Sequence, residues 1–182
     1  MDADQFQPGF IGIIPTDTVY GIVARATDQP AVDKLYRLKS REHKPGTLIA
    51  ADIDHLVSLG IKRRYLTAVQ QFWPDAVSVI IPAADPALAY LHQGKLSLAI
   101  RIPKDDALQE LLLKTGPLLT SSANPPGEPT ATTIDQAKSY FGDKVDFYVD
   151  GGDLSDRQPS TLIRIIDDAI EVLRPGAVKI PE

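Results

Sequence analysis

Cysteine is absent from the 182-residue chain, and histidine, methionine and tryptophan are scarce. Without cysteine the protein has no disulfide, no thiol nucleophile and no zinc site with cysteine ligands. The three histidines, His43, His55 and His92, show no spacing typical of a metal site, so we interpret each as a solvated side chain. We therefore predict no metal-ligating residues in this chain.

Long apolar segments are missing as well. No apolar run approaches the roughly 18 residues that a membrane-spanning helix needs. The acidic start, residues 1–5, lacks the basic and apolar parts of a signal peptide. We therefore expect a cytoplasmic protein that does not enter a membrane.

Positive charge is in deficit. The chain carries 19 Lys and Arg against 24 Asp and Glu, a formal net charge of −5 and a pI of about 5.2. Affinity for nucleic acid depends mainly on the neutralisation of phosphates, so a general nucleic-acid binder is not favoured. No repeat, low-complexity tract or linker divides the chain, and its length suits one domain, which we expect to span residues 1–182.

Strand-like and helix-like segments alternate along the chain, a pattern typical of an α/β fold. The last two strands flank the turn Asp167-Asp168 and predict a hairpin, so the sheet should mix parallel and antiparallel pairs. Strands are expected over residues 10–14, 19–24, 47–51, 77–82, 96–102, 117–120, 145–149, 161–166 and 170–173. Helices are expected from Pro30 to about Ser40, after Asp52 or Asp54, over 63–72, after Asp105 or Asp106, and from Thr132 or Thr133.

The run PTDTVYG, residues 15–21, follows the first predicted strand directly. Ligands of open α/β sheets bind at strand ends. Threonine hydroxyls both donate and accept hydrogen bonds, so this run suits a zwitterionic or hydroxylated small ligand. A turn with local side-chain-to-backbone hydrogen bonds would explain Thr16-Asp17-Thr18 equally well.

Cations cluster at the end of the first predicted helix, where Lys39 and Arg41 are followed by Lys44. Residues two apart on a helix do not share a face, so the first two converge on one ligand only if the helix ends there, as Pro45 and Gly46 indicate. Such a cluster suits a polyphosphate. The alternative is a solvated basic helix end.

Polar clusters recur at later strand ends. Arg101 ends one strand and can clamp a carboxylate or form a surface ion pair. The stretch TSSAN, residues 120–124, can offer donors to an anion or form a turn. Ser160 precedes a strand and Arg174 follows the next one. No Walker A, GxGxxG or GxSxG signature is present, so these clusters carry the prediction of a shared cavity.

In their order and spacing these clusters resemble the YrdC/Sua5 family in its single-domain, TsaC-like form. The resemblance covers about residues 10–178. It depends on PTDTVYG at 15–21, KSR at 39–41, WP at 73–74, AIRIP at 99–103, SAN at 122–124, ST at 160–161 and LRPG at 173–176. It implies a single-domain α/β YrdC-like fold, with a twisted mixed sheet, flanking helices and an open concave cavity.

The resemblance also implies an activity, that of a threonylcarbamoyl-AMP synthase. L-threonine, bicarbonate or CO₂, and ATP would give L-threonylcarbamoyladenylate and pyrophosphate, with Mg²⁺ as the usual divalent cation. The product would pass to a downstream threonylcarbamoyl transferase complex for the t6A modification of tRNA. A weak tRNA contact, of the double-stranded RNA-binding kind, is a further implication.

The same resemblance implies roles for individual residues. Lys39 and Arg41 would be catalytic, stabilising charge on the carbamate and the phosphates. L-threonine would be contacted by Thr18, Arg101, Ser122 and Ser160. The nucleotide would be contacted by Arg41, Lys44, Ser97, Asn124, Thr132 and Arg174.

Two departures from the family pattern and two alternatives bear on this interpretation. The helix that many members carry before the first strand looks absent, so another element must cover that side of the sheet, or it is exposed. Ala50-Ala51 stand where some members have a histidine. The alternatives are another carbamoyl-adenylate-forming enzyme, of the hydrogenase maturation type, and an RNA-binding module.

Overall fold

The computed structural model describes residues 1–40 and 44–180, and in them nine strands form one sheet. The strands are β1 (Gly12–Pro15), β2 (Tyr20–Arg25), β3 (Thr47–Ile49), β4 (Val77–Pro82), β5 (Ser97–Arg101), β6 (Leu118–Ser122), β7 (Phe147–Tyr148), β8 (Thr161–Ile166) and β9 (Ala169–Arg174). Their order across the sheet is β7-β1-β2-β6-β3-β5-β4-β8-β9. The pairs β1–β7, β3–β5 and β4–β8 are parallel and the others antiparallel, so the predicted mixed sheet is confirmed.

Six α-helices lie in the same described residues: α1 (Gln29–Leu38), α2 (Ile53–Leu59), α3 (Arg63–Thr67), α4 (Ala89–His92), α5 (Asp106–Thr115) and α6 (Ile134–Phe141). Four of them begin at a side chain that accepts the backbone N–H three residues on: Asp28, Asp52, Asp105 and Thr133. Every helix of this described part of the chain is too short or too polar to cross a bilayer.

The prediction of one helix over residues 63–72 is wrong. α3 ends at Thr67, and a separate 3₁₀ turn, Gln70–Phe72, precedes Trp73. The break is at Val69, whose backbone leaves the helical region with φ −122° and ψ 6°. β-branched residues such as valine favour a helix less, and Pro74 prevents continuation of the helix further on. α4 has no counterpart in the sequence prediction.

The two faces of the sheet are covered unequally. One face packs on α1, α2, α3, α4 and α6 and forms the larger core, which includes Ile22, Leu48 and Ile100. The other face is covered in part, by α5 and an N-terminal 3₁₀ turn, Ala3–Gln5, over Val23 and Ile49. The rest of this second face is available for a ligand.

The N-terminal segment takes the place of the helix that looked absent. Phe6 is buried and meets the Phe147 ring edge to face, with ring centroids 4.9 Å apart. Gly12 makes room for this pair, because a Cβ there would lie 2.2 Å from the Phe147 ring. The side of the sheet next to β7 is therefore covered by an aromatic contact.

Small and polar side chains occupy the uncovered part of the second face. Thr47 pairs with Thr120 on β6 and with Ala99 on β5, so the three form one line across the sheet. Paired residues of neighbouring strands point to the same face. These three residues, which we call the floor, lie beside the α5 core and carry the site described next.

Candidate functional site

A cavity of about 210 Å³ opens on the floor. Its sides come from the β1–β2 turn, the segment before β3, the end of β5 and the segment before β8. The predicted residues that line it are Thr18, Arg101, Ser122, Ser160 and Arg174. A larger hollow of about 690 Å³, beside Trp73 and Asp52, is lined by none of the predicted residues that the structure describes.

Two glycines keep the cavity open. A Cβ at Gly21 would lie 2.5 Å from the Thr120 hydroxyl, and one at Gly46 would lie 2.6 Å from the Thr120 carbonyl oxygen. Contacts this short require one of the atoms to move. Glycine at both positions therefore lets the two strand ends approach the floor.

The β1–β2 turn presents an acceptor to the cavity. Thr16 Oγ1 donates to the Val19 carbonyl at 2.6 Å, which uses its single hydrogen. Thr16 and Thr18 hydroxyls lie 3.1 Å apart, so Thr18 must donate in that contact. The lone pairs of Thr18 Oγ1 then face the cavity and suit an ammonium group. The local side-chain-to-backbone hydrogen bonds expected of a turn are made by Thr16. The hydroxyl of Thr16 in turn orients that of Thr18.

Arg101 is held by a buried ion pair. Its Nη2 donates to Asp17 Oδ1 at 2.9 Å, and the two side chains are 4% and 5% exposed. Burial raises the pKa of the Asp17 carboxyl above its ordinary value, and the attraction of the Arg101 guanidinium offsets this only in part. Among the described residues, Asp17 Oδ2 and Arg101 Nε have no hydrogen-bond partner. Of the two alternatives for Arg101, the ion pair is present, but it is buried at the cavity instead of lying on the surface.

A second hydrogen-bonded chain continues from Arg101 to β8 and β9. Arg101 Nη1 donates to Ser78 Oγ at 3.2 Å, and Ser78 Oγ lies 2.8 Å from Ser160 Oγ. Arg174 Nη2 donates to the Ser160 hydroxyl at 3.2 Å and to its carbonyl oxygen at 2.8 Å. Four strand ends therefore contribute to one connected polar wall.

Lys39 lies outside the cavity lining and is 4% exposed. Its Nζ donates to the Ser122 carbonyl at 2.7 Å, to the Asn124 carbonyl, and to Asn124 Oδ1 at 3.2 Å. The Ser122 hydroxyl donates to the same Asn124 Oδ1 at 2.6 Å. α1 ends at Leu38, and Ser40 takes a left-handed φ of 48°, so the helix stops where the sequence indicated. The ammonium thus joins the end of α1 to the segment after β6.

The remaining predicted nucleotide contacts are dispersed. Ser97 begins β5 on the face that carries Ala99, and its hydroxyl donates to the Lys95 carbonyl at 3.4 Å. Thr132 bonds to Gln136 Oε1 through its N–H at 2.9 Å, and Lys44 is exposed. None of Lys44, Ser97, Asn124 and Thr132 lines the 210 Å³ cavity as the described residues form it. Arg41 lies outside the described residues.

Sequence reasoning missed Ser78 and residues 150–153. Ser78 is fully buried in β4, where it is one hydroxyl in the apolar run VSVIIP; that isolated polar residue was the available signal. Tyr20 donates to the Gly152 carbonyl at 2.8 Å and accepts from Gly151 N–H at 2.8 Å. Residues 151 and 152 therefore brace the start of β2 beside the cavity.

The described residues contain no group of three or more His, Cys, Asp or Glu side chains that could hold a metal ion. The cavity instead presents guanidinium groups and hydroxyls. This donor set binds anions and zwitterions, and it suits a metal ion that arrives bound to phosphate oxygens.

Comparison with known proteins places this geometry in a family. The family model described as telomere recombination, and named for Sua5, YciO and YrdC, matches residues 4–176. A Mycobacterium tuberculosis protein provisionally named threonylcarbamoyl-AMP synthase is 36% identical over 176 residues, which are 93% of this chain and 80% of that protein. The Bacillus subtilis threonylcarbamoyl-AMP synthase is 32% identical over 169 residues, covering 90% of this chain and 49% of its own length.

A solved structure agrees with these relatives. Pyrococcus abyssi Sua5 in complex with L-threonine superposes with a TM-score of 0.83 at 27% identity, and the match covers 96% of this chain and 52% of that one. That match confirms the predicted α/β fold with a mixed sheet and flanking helices. The chain belongs to the Sua5/YciO/YrdC family.

Proposed function

We propose that the protein is an L-threonylcarbamoyladenylate synthase. It forms L-threonylcarbamoyladenylate and pyrophosphate from L-threonine, bicarbonate or CO₂, and ATP. The observation that carries this proposal is the composition of the cavity lining, which combines the guanidinium groups of Arg101 and Arg174 with serine and threonine hydroxyls. The names of the relatives, threonylcarbamoyl-AMP synthase, supply the reaction class.

The cavity suits a free amino acid. Its volume of about 210 Å³ is below the roughly 300–1,000 Å³ of sites for drug-sized ligands. The carboxylate of L-threonine would face the guanidinium groups and Ser160. The amine would face Thr18, whose hydroxyl hydrogen is already used on Thr16. L-threonine is also the ligand named in the Pyrococcus abyssi Sua5 complex.

The chemistry requires positioning and charge stabilisation rather than a protein nucleophile. The neutral amine of threonine attacks CO₂ and loses a proton, which gives a carbamate. A carbamate oxygen then attacks the α-phosphorus of ATP. The new P–O bond forms as the bond to the β-phosphate oxygen breaks, and pyrophosphate leaves with that electron pair. Cationic side chains such as Arg174 stabilise the charge that develops on the phosphates.

The nucleotide would extend from the cavity across the open face of the sheet. Arg174 lines the cavity, and Ser97 lies on the same face at the far end of β5. Asn124, Thr132 and Lys44 would contact the nucleotide from the surrounding segments, and Arg41 and Lys39 would act at the carbamate and phosphates. Mg²⁺ would enter with ATP, held by phosphate oxygens, as is usual for this ion.

The product defines the partners. L-threonylcarbamoyladenylate is a mixed anhydride, which water hydrolyses. It therefore requires a transferase that moves its acyl group to an amine before hydrolysis occurs. We infer that a threonylcarbamoyl transferase complex uses it for the t6A modification of tRNA, in the cytoplasm. The formal charge of −5 favours at most a weak direct contact with tRNA.

The proposal is tested by incubating the protein with L-threonine, bicarbonate and Mg·ATP, and measuring pyrophosphate and the adenylate product. Arg174→Ala should lower product formation by about 100-fold, because Arg174 holds Ser160 and lines the cavity. Arg164→Ala is the matched control. Arg164 lies on β8, is 44% exposed and pairs with Glu171 instead, so its loss should change the rate less than about twofold.

Pyrophosphate release that does not depend on L-threonine would contradict the proposal. Release that depends on another amino acid would retain the reaction class and change the substrate. Equal losses of product formation in Arg174→Ala and Arg164→Ala would contradict the assignment of the nucleotide site to the cavity that Arg174 lines.

A further inference from the structure

The hydroxyl of Ser78 lies behind the cavity wall and is fully buried. It does not line the cavity that the described residues form, yet it lies between two groups that do, Arg101 and Ser160. We propose that Ser78 is a positioning residue that directs the hydroxyl hydrogen of Ser160 into the cavity. That end of the cavity is then a donor site for a carboxylate.

The direction of the hydrogen bonds follows from the donors and acceptors that surround the Ser78 hydroxyl. A guanidinium group can only donate, so Ser78 Oγ accepts from Arg101 Nη1 at 3.2 Å. The hydrogen of Ser78 itself needs an acceptor, because an unpaired buried hydroxyl hydrogen is unfavourable. Within residues 1–40 and 44–180, the acceptor in reach is Ser160 Oγ at 2.8 Å. Ser78 therefore donates to Ser160.

The consequence falls on Ser160. Its hydroxyl oxygen accepts from Ser78 and from Arg174 Nη2 at 3.2 Å, which occupies both lone pairs. Its own hydrogen is then left for the cavity, which Ser160 lines. Because Asp17 fixes Arg101 at 2.9 Å, the chain Asp17–Arg101–Ser78–Ser160 has one favourable direction. With its hydroxyl fixed as a donor next to two guanidinium groups, Ser160 favours an anionic acceptor such as a carboxylate.

The direction of this chain is independent of the proposed function, whereas the identification of the carboxylate as that of L-threonine depends on it. L-threoninol separates the two chemistries, because it keeps the amine and the side chain and replaces the carboxylate by a neutral alcohol. Its preference relative to L-threonine reports the donor site.

The experiment compares Ser78→Ala, Ser160→Ala, the double variant and Ser78→Thr by calorimetric titration with L-threonine and L-threoninol. Ser78→Ala should weaken L-threonine binding by about tenfold and leave L-threoninol within about twofold. Ser78→Thr keeps the hydroxyl and should restore L-threonine binding. The double variant should bind like Ser160→Ala, because both changes remove the same donor.

Thr115→Val controls for the loss of a buried hydroxyl as such. Thr115 lies on α5, and the acceptors in reach of its hydroxyl are local carbonyls, that of Leu111 at 3.1 Å and that of Gly116 at 2.9 Å. This variant should keep the wild-type preference for L-threonine. If Ser78→Ala does not fold, Ser160→Ala decides alone: equal weakening of both ligands overturns the inference, and selective weakening of L-threonine supports it.

The outcomes separate the inference from the proposed function. Unchanged L-threonine binding in Ser78→Ala, with weakened binding in Ser160→Ala, overturns the inference and leaves the function intact. Selective loss of L-threonine binding in Ser78→Ala, in a protein that releases no pyrophosphate, supports the inference and refutes the function. A wild-type protein that binds neither ligand overturns both.

Discussion

The residues predicted to contact L-threonine and those predicted to contact the nucleotide lie in different surroundings. Thr18, Arg101 and Ser160 are at most 4% exposed, and each is hydrogen-bonded to another residue of the wall. Ser97 and Thr132 bond to groups two and four residues away in sequence and lie outside the cavity lining. Apart from Arg174, which belongs to the polar wall, the described residues of the nucleotide set therefore lie outside the cavity lining, whereas the amino-acid set is fixed within it.

This difference has an energetic meaning. Side chains already fixed by buried partners lose little conformational entropy when a ligand binds, so the amino-acid side is preorganised. Partly exposed side chains such as Ser97 and Thr132 retain more freedom before binding and lose more of it when a ligand binds. We therefore expect selectivity for the amino acid to depend on a few buried groups, and ATP affinity to depend on many weaker contacts.

Arg101→Met should give the largest effect, because it leaves the buried Asp17 carboxyl without its cationic partner. Breaking a buried ion pair should lower the free energy of unfolding by about 3–5 kcal/mol. Urea denaturation at pH 7 measures this loss. Product formation should fall below detection. The double variant Asp17→Asn/Arg101→Met should regain part of the stability and none of the activity. Wild-type stability in Arg101→Met would show that the pair is not buried in solution.

Lys39→Ala should affect both fold and activity, since the ammonium is surrounded by oxygens of Ser122 and Asn124. We expect a loss of about 2 kcal/mol from the unpaired carbonyl groups and about a 100-fold lower turnover from the displaced Ser122. Lys34→Ala is the control on the same helix, where a half-buried pair with Asp146 should contribute less than about 1 kcal/mol. Lost activity at wild-type stability would instead indicate direct contact of Lys39 with the ligands.

Gly21→Ala tests the amino-acid side without removing a polar group. Its Cβ would lie 2.5 Å from Thr120 Oγ1, so the floor must shift. The KM for L-threonine should rise about tenfold, while the KM for ATP changes less than about twofold. Gly21→Ala/Thr120→Ala removes the clash and should recover much of the loss. Equal changes in both KM values would end the distinction between the two sides.

Local chemistry explains what could be predicted. Helix caps such as Asp28 and Asp105 bond to a backbone N–H three positions away, so they can be recognised locally. The polar clusters at strand ends can also be recognised, because each directly follows a run of apolar residues. The role of Ser78 could not be predicted, because its partner Ser160 is 82 residues away, directly before another strand. Lys39 is similar: the sequence shows a cation at a helix end, but the carbonyls that surround it come from a segment more than 80 residues later.

The smallest effect concerns the pH dependence of stability at Asp17. Burial raises the pKa of this carboxyl above its ordinary 3.8, so the folded chain binds the proton more tightly than the unfolded chain. Stability is then highest below about pH 3.8 for this group, and it falls as the pH rises through the raised pKa. The slope is at most about 1.4 kcal/mol per pH unit.

Asp17→Asn keeps the size of the side chain and removes the titration. The free energy of unfolding of the wild type, minus that of Asp17→Asn, should therefore decrease from pH 4 upward and level off above the raised pKa. Urea denaturation of both proteins between pH 4 and pH 7 measures this difference, in which the other carboxylates cancel. A difference that grows with pH would mean that the Arg101 guanidinium stabilises the carboxylate by more than burial destabilises it, and the wall would then hold a stable charge pair rather than a strained one.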